Sequence, residues 1–255
     1  MKKILNRVPE VTGSFWIIKV LATTVGETLA DYLSVNLNLG LSVTSYVMSA
    51  VLLIALLNQF RLKRYVPVSY WIVVVLMSIT GTLITDRLVD ELGVSLTTIN
   101  IVFTVVLSAV FLLWYSNEKT LAMHSINTAK RELFYWAAIL FTFALGTATG
   151  DFIAEALKLG YAQSALVFGV LIAIVATGYY YFRMNAVLAF WIAYILTRPL
   201  GASTGDLLSQ PTTNGCFGFG TVGTSMLFLS IIMSLVIYLS FKQKKLAPMA
   251  IDQQD

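Results

Sequence analysis

Eight nearly unbroken apolar stretches run along the chain, near residues 14–35, 42–59, 69–90, 96–115, 133–157, 162–182, 185–209 and 222–241. An apolar helix of roughly 20 residues crosses a hydrocarbon core of roughly 30 Å, and a helix satisfies its own backbone there. The pattern therefore predicts an all-α transmembrane bundle of eight helices filling residues 1–255 as a single membrane domain. The polar segments between them sort by charge. Lys2, Lys3 and Arg7 precede the first span, and Arg61, Lys63 and Arg64 follow the second. Lys119, Lys130 and Arg131 follow the fourth, Arg183 the sixth, and Lys242, Lys244 and Lys245 the eighth. The opposite loops hold little beyond Arg87 and Lys158. Basic loops stay on the cytoplasmic side, so both termini are expected there, in the inner (plasma) membrane of a cell, with no cleaved signal peptide.

Polar residues recur at the ends of the odd-numbered spans, which divides the chain into four two-helix repeats of roughly 14–62, 69–117, 133–182 and 185–241. The segments read Thr23-Thr24-Val25-Gly26-Glu27 with Asp31, Thr82-Leu83-Ile84-Thr85-Asp86 with Asp90, Gly146-Thr147-Ala148-Thr149-Gly150-Asp151 with Glu155, and Gly201-Ala202-Ser203-Thr204-Gly205-Asp206 with Gln210. An alignment on the acids puts Glu27, Asp86, Asp151 and Asp206 in register. Thr23, Thr82 and Thr147 then stand one turn before them, and Asp31, Asp90 and Glu155 one turn after. The fourth repeat departs, with Ala202 and Gln210 in those places. All odd spans run in one direction, so the repeats are parallel and the acids share one depth, in the outer half of the membrane.

These residues, together with Phe15-Trp16, Lys19 and Arg198-Pro199-Leu200-Gly201, carry a resemblance to a family of bacterial integral membrane proteins. That family consists of four copies of a two-helix repeat of unknown function with a Gly-Asp motif. The resemblance covers nearly the whole chain. It implies the fold and no activity, so function has to come from the site.

Composition agrees with a lipid solvent: 58% of residues are hydrophobic and 12% charged, with a mean hydropathy of +0.80. The net charge of +4 reflects the cytoplasmic loops, and no nucleic-acid partner is expected. One cysteine, Cys216, excludes an internal disulfide and a cysteine-built metal centre, and one histidine, His124, excludes bis-histidine haem. No nucleophile elbow, phosphate loop or paired-histidine helix is present, so an enzyme is not expected.

Eight acids, Glu27, Asp31, Asp86, Asp90, Glu91, Asp151, Glu155 and Asp206, face at most four bases: Lys19, Arg198, Arg87 and Lys158. Intramembrane acids without partners must be protonated, hydrated or bound to a cation. Carboxylate and hydroxyl oxygens without His or Cys suit Mn²⁺, Mg²⁺, Ca²⁺ or protons. Glu27, Asp31, Asp86, Asp90, Asp151, Glu155 and Asp206 are therefore the candidate ligands, supported by Thr23, Thr82 and Thr147. Lys19 and Arg198 are the candidate counter-ions, each eight residues before an acid. The leading expectation is a cation transporter, a proton-coupled exporter of a divalent metal of the manganese type. The alternatives are a proton-coupled carrier of a small organic solute and a non-transporting sensor or scaffold. Membrane lipid and a second copy of the chain are the remaining expected partners.

Four smaller features complete the reading. Gly26, Gly150 and Gly205 precede acids as helix contacts or kinks, and Tyr179-Tyr180-Tyr181-Phe182 reads as an interfacial belt. Residues 210–220 form an outer loop or lid, and residues 246–255 a disordered tail.

Overall fold

The computed structural model describes residues 6–249, with side chains described for 6–243. Eight long helices appear: α1 (Gly13–Asp31), α2 (Leu41–Arg61), α3 (Pro67–Asp86), α4 (Leu96–Glu118), α5 (Ala129–Asp151), α6 (Tyr161–Tyr181), α7 (Ala186–Ser209) and α8 (Gly220–Met249). Local chemistry starts several of them. The Thr12 side chain accepts from the Phe15 amide at 3.3 Å, and Ser95, Thr128 and Asn185 cap α4, α5 and α7 in the same way. Pro67 opens α3, where its missing amide costs nothing.

Three of the four odd helices end alike. A π-helical turn follows Asp31, Asp86 and Asp151, at Tyr32–Asn36, Arg87–Glu91 and Phe152–Ala156. The chain then reverses through a residue of positive φ, Asn38, Gly93 or Lys158, into the next helix. The fourth repeat has no π turn, and α7 continues to Ser209 before a longer loop.

Helices α1, α3, α5 and α7 form a closed inner ring in which each touches the next and α7 returns to α1. Each outer helix packs on the odd helix of the following repeat: α2 on α3, α4 on α5, α6 on α7, and α8 on α1. The ring closes because of its small residues. A Cβ added at Gly26 would overlap Ser78, at Gly81 it would crowd Phe143, at Gly146 it would overlap Arg198, and at Gly201 it would overlap Thr23. Glycine at these four contacts lets the backbones approach. Polar contacts repeat around the ring as well. Ser45 donates to the Leu83 carbonyl at 3.2 Å and Asn100 to the Ala148 carbonyl at 2.9 Å. Ser164 and Ser203 bond at 2.8 Å, and Ser225 and Thr28 at 2.7 Å.

The outer helices turn large side chains such as Leu53, Ile54, Leu112, Leu166, Ile174 and Met226 outward. Among the described residues seven helices are long and apolar enough to cross a membrane; α1, which carries Lys19 and Glu27, is not among them and forms one wall of the ring. Its charges are covered by protein.

At one end the Asn6–Arg7 segment is tied to two loops. The Arg7 amide donates to the Ile126 carbonyl at 2.9 Å, the Tyr65 amide to the Asn6 carbonyl at 3.0 Å, and Gln243 of α8 to the Tyr65 carbonyl at 2.9 Å. The helix ends that carry Asp31, Asp86, Asp151 and Asp206 lie at the other end. The tail expected at 246–255 is helical as far as Met249, as a continuation of α8, and 250–255 lie outside the described residues.

Candidate functional site

The helix ends correct the register of the first repeat. Asp31, Asp86 and Asp151 each close an α segment and lead into a π turn. The close-contact glycines Gly26, Gly81, Gly146 and Gly201 each stand five residues before Asp31, Asp86, Asp151 and Asp206. The equivalent acids are therefore Asp31, Asp86, Asp151 and Asp206. Glu27 instead shares its position with Thr82, Thr147 and Ala202, and Arg198 shares its own with Thr23, Ser78 and Phe143. Lys19 and Arg198, expected at equivalent places, lie one turn apart in this register. The expectation failed because Gly26-Glu27 imitates the Gly150-Asp151 and Gly205-Asp206 pairs found one turn later in their repeats.

The four equivalent acids line one cavity of about 170 Å³ at the end of the ring, together with Glu27, Asp90, Glu155, Tyr161 and Gln210. Every candidate carboxylate of the sequence analysis is brought to it. Around the cavity, Tyr161 donates to Glu155 at 2.7 Å. Arg87, one of the four available bases, neutralises the one acid of the eight that is not on the cavity: it pairs with Glu91 at 3.3 Å and stacks on Tyr46. Glu91 itself accepts from Ser42 at 2.6 Å outside the cavity. Among the described residues no carboxylate of Asp31, Asp86, Asp90, Asp151, Glu155 or Asp206 has an ion-pair partner.

One turn inward the cavity is closed by Arg198. Its Nη2 donates to Glu27 Oε2 at 2.8 Å, to Thr147 Oγ1 at 2.6 Å and to Thr82 Oγ1, and Nη1 donates to the Thr23 carbonyl at 3.2 Å. A single nitrogen, Nη2, thus joins all three polar residues of that layer, its two N–H groups shared among their oxygens. The supporting threonines do not serve as expected. Thr82 and Thr147 accept from Arg198, and the Thr23 hydroxyl donates to the Val20 carbonyl at 2.6 Å and to the Thr197 carbonyl at 3.2 Å. Their oxygens are consumed by protein donors and carbonyls, so none lines the cavity.

Lys19 lies further inward and has no carboxylate partner. Its Nζ stands 4.1 Å from the Phe143 ring centroid and 4.3 Å from that of Tyr194. The expected counter-ion is held by aromatic faces instead. Beyond it the axis is filled by Phe15, Tyr70, Trp71, Tyr135, Trp136 and Trp191, with the Tyr70 and Tyr135 hydroxyls hydrogen-bonded.

Glu132 escaped the sequence analysis. It is fully buried in the first turn of α5, where it pairs with Arg7 at 2.7 Å and accepts from Gln59 at 3.1 Å. Its only signal was a lone acid beside Lys130 and Arg131, which reads as a solvated charge run. The 210–220 loop folds back on the end of α7, with Phe217 and Phe219 amides donating to the Leu207 and Leu208 carbonyls at 2.8 and 2.9 Å. Only Gln210 of that loop reaches the cavity. Tyr180, Tyr181 and Phe182 are exposed at the opposite end. Among the described residues no three His, Cys, Asp or Glu side chains already form a metal-coordinating group.

One family profile matches the chain, Repeat of Unknown Function (DUF347), four times, at residues 14–65, 69–120, 134–185 and 189–245. Its four starting points reproduce the corrected register, with the acids Asp31, Asp86, Asp151 and Asp206 at one distance from each start. Comparison with curated proteins and with solved structures finds no match.

Proposed function

We propose that this chain, which belongs to the DUF347 repeat family along most of its length, is a membrane transporter of cations, a proton-coupled exporter of a divalent metal of the manganese type. The observation that carries the reading is the convergence of Asp31, Asp86, Asp151 and Asp206, one from each repeat, on a single cavity whose nearest base is already committed to Glu27. Like charges packed this closely repel unless protons or a cation stand between them. Their oxygens are hard ligands, which favours Mn²⁺, Mg²⁺ or Ca²⁺ as substrate.

A cavity of about 170 Å³ suits a hydrated ion better than an organic solute. Because the acids do not stand ready as a coordination group, the ion enters with water and the carboxylates draw in around it. Cation and proton compete for the same oxygens, which supplies the coupling. The Arg198–Glu27 layer is the inner closure and has to open for an ion to pass. The basic loops at the end that holds Arg7 support a multi-pass protein of the inner (plasma) membrane, with that end cytoplasmic and the acidic cavity outside.

Purified protein in liposomes, offered Mn²⁺, Mg²⁺ and Ca²⁺ in turn, tests the reading. Wild-type vesicles are expected to move at least Mn²⁺ and to alkalinise or acidify in exchange. Asp151→Asn and Asp86→Asn are expected to lower Mn²⁺ binding about tenfold or more while the protein remains folded. A wild-type protein that neither binds nor moves any of the three ions refutes it.

A further inference from the structure

The Lys19 side chain is fully buried, and its nitrogen has no hydrogen-bond partner. Two ring faces, Phe143 of α5 and Tyr194 of α7, are all that attend it. Such contacts return less to a desolvated cation than taking an ammonium out of water costs. The charged groups facing Lys19 are few. Arg198 lies one turn outward on α7, and Glu27, two turns outward on α1, is bonded to it. From α3 and α5 come only the Tyr70 and Tyr135 hydroxyls, which bond each other. The segment of α8 from Gly220 to Phe241 has no acidic or basic residue, and its Tyr238 is exposed.

Two bases therefore sit on the axis for one engaged carboxylate, and they differ in kind. Arg198 is bound through both of its Nη atoms and carries a charge it cannot lose; an amine can release its proton and take it back. The inward side of Lys19 is also unusual. The Tyr194 hydroxyl has no hydrogen-bond partner. Beyond the Tyr70–Tyr135 pair lies Glu132, with Arg7 and Gln59 on its two oxygens. Ionisable groups thus follow one another from the acidic cavity to the end that holds Arg7.

We propose that Lys19 is the proton carrier of the bundle: its amine takes the proton that an arriving cation displaces from the outer cavity and passes it inward, past Tyr194 and the Tyr135–Tyr70 pair, toward Glu132. One O–H bond breaks as an N–H bond forms on the nitrogen lone pair, and that N–H then breaks on the inward transfer; no electrons are exchanged. The inference rests on the transporter reading and adds the route of its proton.

The test uses full-length protein in liposomes with Mn²⁺ as the probe, following Mn²⁺ entry and internal pH together. Wild-type vesicles move protons against Mn²⁺ and respond to an imposed pH gradient. Lys19→Arg, with a fixed charge, and Lys19→Met, with none, are expected to lose proton counter-movement about a hundredfold, leaving a slow Mn²⁺ flux that ignores the gradient. Tyr194→Phe, which keeps the ring and loses the hydroxyl, slows the proton less. Full counter-movement in Lys19→Arg overturns the role of Lys19 and leaves the transporter reading standing. Wild-type vesicles that move neither ion overturn both. Equal loss of Mn²⁺ binding in Lys19→Met and Asp151→Asn, measured by paramagnetic resonance of free Mn²⁺, also overturns the relay, because Lys19 would then act on the cavity itself. Lys19→Arg keeps the test decisive if Lys19→Met fails to fold.

Discussion

Arg198 Nη2 stands 2.8 Å from Glu27 Oε2, across the contact that closes the fourth repeat onto the first. The arginine is fully buried and the glutamate side chain is only 6% exposed. Removing one partner leaves the other charge without compensation, at a cost of about 3–5 kcal/mol. Arg198→Met and Glu27→Gln are each expected to lower thermal stability in detergent sharply. The double variant should recover most of the loss, since a neutral layer needs no ion pair. Additive losses in the double-mutant cycle would show that the two residues act separately.

The glycine contacts give a second prediction. A methyl group at Gly201 meets the Thr23 side chain and lies 3.0 Å from the Thr24 amide nitrogen. Overpacking of that kind costs about 1–3 kcal/mol. Gly201→Ala is therefore expected to reduce the unfolding temperature. Gly169→Ala, on α6 with nothing within 4 Å, should be neutral or better, because alanine is the stronger helix former. Matched melting curves decide between them, and equal shifts would contradict the packing argument.

The eight helices were legible because long apolar runs carry their own signal, and the recurrence of acids revealed the repeats. The register of the first repeat was not. Gly26-Glu27 looks like a Gly-Asp pair, and the offset emerges when Gly26, Gly81, Gly146 and Gly201, or the aromatic pairs Phe15-Trp16, Tyr70-Trp71, Tyr135-Trp136 and Phe190-Trp191, are read as a set. The surroundings of Lys19 could not be read from its own helix, since Phe143 and Tyr194 come from the third and fourth repeats. Glu132 was hidden for a related reason: its partners Arg7 and Gln59 stand 125 and 73 residues away.

Cys216 offers a test of sidedness. It is 8% exposed, in the loop between α7 and α8 at the acidic end. Burial first, and the Asp206 carboxylate second, push its thiol up from the ordinary value. The thiolate is the reactive form, so labelling by a membrane-impermeant maleimide is expected to be slow at neutral pH and to reach its full rate only above the usual thiol range near about 8.5. Asp206→Asn removes one cause and should speed labelling at a fixed pH. Reaction should occur from the outside of intact cells, whereas a cysteine placed at His124 on a Cys216→Ser background should react only after the membrane is opened. The reverse pattern would invert the proposed orientation.

The inner-end pair Arg7–Glu132 predicts an asymmetry. The Arg7 side chain is 13% exposed and that of Glu132 is fully buried, with their atoms 2.7 Å apart. Glu132 also accepts from Gln59 at 3.1 Å and from the Trp136 indole at 3.4 Å. Arg7→Ala strands a carboxylate among protein groups with two neutral donors, the costly case of a buried unpaired charge, about 3 kcal/mol or more. Glu132→Gln instead strands a guanidinium that already touches water, and the amide oxygen still accepts from both donors. Arg7→Ala is therefore expected to lower the melting temperature more than Glu132→Gln. It should also open the Asn6–Arg7 segment, which is held by the Ile126 carbonyl at 2.9 Å and the Met123 carbonyl at 3.1 Å, to limited proteolysis. A larger loss in Glu132→Gln would mean that the carboxylate serves its donors more than its cation, and would remove Arg7 as the clasp of the inner end.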